Sequence, residues 1–127
     1  MRTLTDKQMT DLVASAERLA KRSADESRLG VEISYEDVFA HCENAPEAVA
    51  RLARALEAEG VPFDEANLPM RACEDFGRFG QKSRAAMFLL GAGESHPSLH
   101  NPDNDFPDDL IVIGARVMMR VLRDMLG

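Results

Sequence analysis

Six consecutive apolar residues, Ala85-Ala86-Met87-Phe88-Leu89-Leu90, end abruptly in Gly91-Ala92-Gly93. No polar residue alternates with them, so the run predicts a strand covered on both faces, as in a parallel sheet. Ser95 to Asp109 follows (Ser-His-Pro-Ser-Leu-His-Asn-Pro-Asp-Asn-Asp-Phe-Pro-Asp-Asp), placing two of the three histidines and four carboxylates in one polar stretch. Leu110 to Leu126 is then apolar nearly all round, with Arg116, Arg120, Arg123 and Asp124 marking a solvent side. Pro107 suits a first helical turn, and Asp108 and Asp109 suit its positive end. Gly114 inside this helix costs about 1 kcal/mol relative to alanine, which predicts close packing against a neighbour. Buried strand, turn, polar loop and buried helix form the edge of an α/β active site, where ligands gather at strand ends.

The rest of the chain carries helix and strand signals in alternation. Thr5 and Gln8 form a capping box, Leu4 and Met9 a staple, and Met9, Leu12, Val13, Ala16, Leu19 and Ala20 one apolar helix face toward a core. The pattern fades into a polar turn at 23–28. Val31, Ile33 and Tyr35 alternate with Glu32, Ser34 and Glu36, the period of a half-buried strand. With a short strand at 1–4, residues 1–37 therefore predict strand, helix, strand. Asn44 and Glu47 give a second capping signature, with Pro46 in the first turn. Val49, Leu52, Ala53 and Leu56 supply an apolar face, and Gly60-Val61-Pro62 a stop. Residues 63–71 are irregular. Cys73 to Gly80 has Phe76 and Phe79 at helical spacing, as in one short helix.

The chain has 127 residues, enough for one core, with 45% apolar and 29% charged residues and a net charge of −7. That is a globular composition rather than a disordered one. An acidic chain without a basic run is not expected to bind nucleic acid or an anionic membrane. No stretch approaches the roughly 18 apolar residues of a membrane span. No signal peptide is visible, and Cys42 and Cys73 make no disulfide framework, so a cytoplasmic location is expected.

The candidate chemistry is sparse when taken motif by motif. His96 and His100 are four apart, a zinc spacing on a helix, but Pro97 and Pro102 disfavour a helix there. Asn101, Asp103 and Asp105 resemble the start of a calcium loop, but Phe106 stands where the sharp turn needs glycine. Glu74 and Asp75 are adjacent, so on a helix they diverge by about 100° and cannot face each other as an acid–base pair. Gly91-Ala92-Gly93 lacks the lysine of a phosphate loop, and a tight turn is the simpler reading.

Three blocks taken together are more specific. Cys73-Glu74-Asp75-Phe76-Gly77, Phe88-Leu89-Leu90-Gly91-Ala92-Gly93 and Leu99-His100-Asn101-Pro102-Asp103-Asn104-Asp105-Phe106 resemble, in order and spacing, the C-terminal end of the metal-dependent amidohydrolases related to aminoacylase, hippurate hydrolase and the indole-acetyl-amino-acid hydrolases. The N-terminal part resembles the last strand–helix–strand of that family's smaller dimerisation (lid) domain.

The resemblance implies a mixed α/β (α+β) fold. Residues 1–42 would be part of a ferredoxin-like lid, and 43–127 the terminal α-β-α part of a zinc-peptidase-like catalytic domain. It implies an enzyme holding two divalent metals (zinc, manganese or cobalt) that hydrolyses the amide of an N-acyl amino acid or small peptide. By the same resemblance His100 is a metal ligand, Glu74 and Asp75 lie at the active-site edge, and Gly91 and Gly93 offer backbone contacts to substrate. Asn104 stands where an aromatic residue is usual. The family's other metal ligands and its glutamate base find no match here, so the chain is expected to be a C-terminal segment inactive alone. The alternative is a stand-alone non-catalytic interaction or dimerisation module. Strands at 1–4 and 31–35 without a neighbour between them predict a homo-oligomer formed by strand addition or exchange.

Overall fold

A computed structural model of the chain describes residues 1, 3–66, 68–70 and 75–127. Among the described residues four helices form: α1 (Asp6–Glu26), α2 (Pro46–Ala58), α3 (Gly77–Gly80) and α4 (Asp109–Leu126). They belong to two compact units, one of Met1–Glu43 with Pro69–Ser83, the other of Asn44–Leu68 with Arg84–Gly127.

The first unit is built on α1. Its capping box forms as expected: Gln8 N–H donates to Thr5 Oγ1 at 3.2 Å, and Leu4 N–H to Gln8 Oε1 at 3.2 Å. The helix runs through the expected polar turn and stops at Ser27, with Arg28 in the left-handed region (φ 55°) and Leu29 N–H closing on Ala24 O at 2.8 Å. Its apolar face is not the core face that its periodicity suggested. Met9, Val13 and Ala20 are half-buried, Leu12 and Leu19 are exposed, and no residue of α1 is buried. The short helix expected over Cys73–Gly80 is found over Gly77–Gly80; Phe76, which precedes it, and Phe79 have their rings 5.4 Å apart, and residues 73–74 lie outside the described residues.

The second unit packs α2 against α4 around Ala55, Leu56 and Val117, with Val61, Phe88 and Val121 closing over them. Gly60 (φ 67°) ends α2, and Val61 N–H bonds Leu56 O at 2.9 Å, the glycine stop the sequence announced. Pro46 begins α2, but Asn44 does not cap it. Its side-chain amide instead pairs with the backbone of Met87, donating from Nδ2 to Met87 O at 2.8 Å and accepting Met87 N–H at 2.8 Å. Gly114 is closely packed as expected: a Cβ there would stand 3.0 Å from Leu90 Cδ1.

The α/β expectation is overturned, for both the strand–helix–strand at 1–42 and the α-β-α arrangement after it: among the described residues the structure is helical and no strand forms. A strand exists only when a second backbone pairs with it. The segment Val31–Tyr35 alternates in sequence, but its side chains are exposed and no ladder joins it to another described segment. Its fastening to α1 is the Tyr35 hydroxyl, which donates to Glu17 Oε1. This bond, then Lys21, holds the Glu17 carboxyl below its ordinary range, and the same bond raises the Tyr35 phenol. The apolar run at 85–90 forms no strand either: Ala45 N–H on Ala85 O and Asn44 hold it, and Leu89 is 64% exposed, so the run is not covered on both faces. Among the described residues the strand edges expected to mediate self-association therefore do not form.

Candidate functional site

The polar loop singled out by sequence lies in the second unit, between the apolar run at 85–90 and α4. Gly93 turns the chain at φ 101°, and His96 N–H reaches back to Gly93 O at 3.3 Å. Two further turns follow, with Asn101 N–H on Ser98 O and Asn104 N–H on Asn101 O, each 3.0 Å. The His96 ring spans the loop: Nδ1 lies 2.9 Å from Pro97 O and Nε2 lies 2.8 Å from Asp105 O. Asn104 Nδ2 donates to the same Pro97 carbonyl at 2.9 Å. At the far end Asp105 Oδ1 accepts Phe106 N–H, and Pro107 O and Asp108 O accept the first turn of α4.

His100 is exposed on this loop with its backbone in the left-handed region, φ 72°. That conformation costs a non-glycine residue about 1 kcal/mol or more and recurs at functional positions. The loop does not bring His96 and His100 together as a ligand pair, because both His96 nitrogens are turned to backbone carbonyls. Gly91 and Gly93 are exposed in the same unit. Asp75 is exposed in the other unit, where its carbonyl accepts Arg78 N–H at the start of α3; Cys73 and Glu74 lie outside the described residues.

One histidine does not make a metal centre. A catalytic zinc takes three protein ligands, and no group of three His, Cys, Asp or Glu side chains converges among the described residues. The described residues do not by themselves fit a metal ion.

Two charged clusters went unread in the sequence. In the first unit Asp6 accepts the His41 backbone N–H at 2.7 Å, and His41 Nδ1 lies 3.1 Å from its other oxygen, too far off line to be a directed hydrogen bond. The backbone bond first, then the ring, holds the Asp6 carboxyl below its ordinary value. In the second unit Glu59, at the end of α2, takes Arg116 at 2.9 Å and Arg120 at 3.0 Å from α4. Arg116, then Arg120, lowers its carboxyl from the ordinary 4.5.

Unfolded, Glu59 protonates near 4.5; folded, it stays ionised below that, so its contribution is complete above 4.5 and disappears as pH falls through the lower folded value. Thermal midpoints of the wild type should therefore drop between pH 5 and more acid conditions by more than those of Glu59→Gln. Parallel pH curves for the two proteins would show that Glu59 is not the group responsible.

The model of one family, peptidase family M20/M25/M40, matches residues 4–124. No curated protein and no solved structure matches. Among the described residues, no helix is long and apolar enough to cross a membrane.

Proposed function

Starting from the membership of this chain in the peptidase family M20/M25/M40, a family of metal-dependent hydrolases, we propose that it is a C-terminal segment of an amidohydrolase of the aminoacylase and hippurate hydrolase branch. Its substrate would be an N-acyl amino acid or small peptide. His100 would contribute one ligand to a centre of divalent zinc, manganese or cobalt, with Gly91, Gly93, Glu74 and Asp75 near the substrate. When bound, such a metal activates water for attack on the amide. This chain's own part would be to present the His100 imidazole from a loop anchored at the start of α4. The observation that carries the reading is that His100, within the block Leu99–Phe106 that resembles that branch, stands exposed at φ 72°, while no group of three ligating side chains converges among the described residues.

The source DNA immediately upstream of Met1 tests this. An open frame encoding the remaining ligands, a His-x-Asp and a Glu-Glu pair, is the expected result. A stop codon or frameshift there would overturn it. The second reading, a non-catalytic interaction or self-association module, is favoured by the apolar side chains along α4 that stay open, among them Ile111 at 57%, Val112 at 62% and Met125 at 59% exposure. A homo-oligomer would then form through that helix rather than through strand edges.

A further inference from the structure

The loop from His96 to Phe106 has little apolar packing of its own. Leu99 is 74% and Phe106 61% exposed, and no helix or strand forms within it. Pro97 and Pro102 have no backbone donor, which removes two amides from any internal ladder. The loop nevertheless keeps His100 in a backbone conformation that costs free energy, so something must over-determine it. The polar contact of longest span inside it is made by the His96 ring, which joins Asp105 O, nine residues on, to Pro97 O beside it.

We propose that His96 is a positioning residue: by bridging Pro97 O and Asp105 O it closes the loop and fixes the left-handed backbone at His100, and so the direction in which that imidazole is presented. Carbonyl oxygens only accept, so each contact needs a ring N–H. The neutral ring has one, and the imidazolium satisfies both at once. Asn104 adds a second donor to the Pro97 carbonyl, so one oxygen gathers both sides of the loop. His100 sits midway between these fixed points. The same contacts explain why His96 is not itself offered to a ligand. What the presentation serves rests on the assignment of His100 proposed above; the closure of the loop does not.

Nuclear magnetic resonance of the full chain separates the two. In the wild type, a strong nuclear Overhauser effect between the His100 amide and α protons, which positive φ brings close together, should be seen, and a hydrogen-bond coupling should link the His96 ring to the Asp105 carbonyl. In His96→Ala the His100 effect should weaken, and the Asn101 and Asn104 amides should exchange at least tenfold faster, while α2 and α4 keep their protection. An unchanged His100 effect and unchanged exchange in His96→Ala would overturn the proposal. Should that variant fail to fold, Asn104→Ala and the wild-type ring coupling decide it: a partial loosening with the ring coupling present supports the clasp, and absence of the ring coupling overturns it. The ligand assignment is judged separately, by the reading frame upstream of Met1: its failure leaves the His100 and ring signals to judge the clasp, and failure of those signals leaves the frame to judge the ligand.

Discussion

Gly77→Ala is expected to destabilise the unit of Met1–Glu43 and Pro69–Ser83 by about 3 kcal/mol, enough to unfold a marginal structure. A Cβ at position 77 would lie 2.5 Å from His41 O and 2.6 Å from Ala40 O. Real Cβ atoms do not approach this closely, and the obstacle is backbone on both counts. That backbone has little room to retreat, since His41 N–H is held by Asp6 and Val38 O accepts Arg78 Nη2 at 3.1 Å. Gly77 is also buried at the first position of α3, so the new methyl cannot swing out to water. Gly30→Ala is the matched control, with nothing within 4 Å of the added carbon. Urea unfolding and exchange at the His41 amide would check the pair: the Gly77 variant should lose protection there and Gly30→Ala should keep it. Equal stability for the two would mean that segments 38–41 and 75–80 do not meet as described.

Leu56→Ala is expected to cost the second unit about 3 kcal/mol, within the 2–5 kcal/mol range for buried leucines. Ala55, Leu56 and Val117 are the buried hydrophobic side chains among the described residues, and Leu56 is the largest of them. Truncation leaves Phe88, Val61 and Val121 facing a void that the fixed α2·α4 pairing cannot fully close. Glu59 clamps the neighbouring turn to Arg116 and Arg120, which limits any slide of one helix along the other. Leu56→Met preserves volume and should cost less than about 1.5 kcal/mol. Calorimetric midpoints for the two variants would settle the matter, and a Leu56→Ala protein as stable as Leu56→Met would contradict a core at this place.

What could be read from residue order, and what could not, divides along the range of the forces involved. Helices are local: Thr5 with Gln8, Pro46, and Gly60 with Val61 act within a turn of themselves, and each marks an end the structure has. Asn44 shows the limit. It carries a capping residue's chemistry, but its amide is drawn off by the backbone of Met87, 43 residues on. Strands fail for the same reason in stronger form. Alternation at Val31–Tyr35 states which side chains want to share a face, while a strand requires a partner backbone that the segment itself does not specify. The Asp6–His41 and Glu59–Arg116 contacts span 35 and 57 residues and leave no local trace.

The loop was legible as a place and not as a mechanism. Its density of histidine and aspartate marked it, and the likeness around His100 singled out one residue. That His96 turns inward to the backbone while His100 turns outward at positive φ depends on closure over nine residues, which spacing alone does not encode. Gly114 was legible because glycine in an apolar helix is a cost that needs a reason, and Leu90 supplies it.

If His100 is, as proposed, one ligand of a centre that this chain does not complete, the purified chain has no hydrolase activity of its own. The direct measurement is hydrolysis of hippurate and N-acetyl amino acids by the purified chain, with zinc, cobalt or manganese added in turn. No release above the metal-only control is expected, and no difference between the wild type and His100→Ala. Turnover by the wild type that His100→Ala abolishes would show a complete centre in this chain, and would contradict the proposed role of His100.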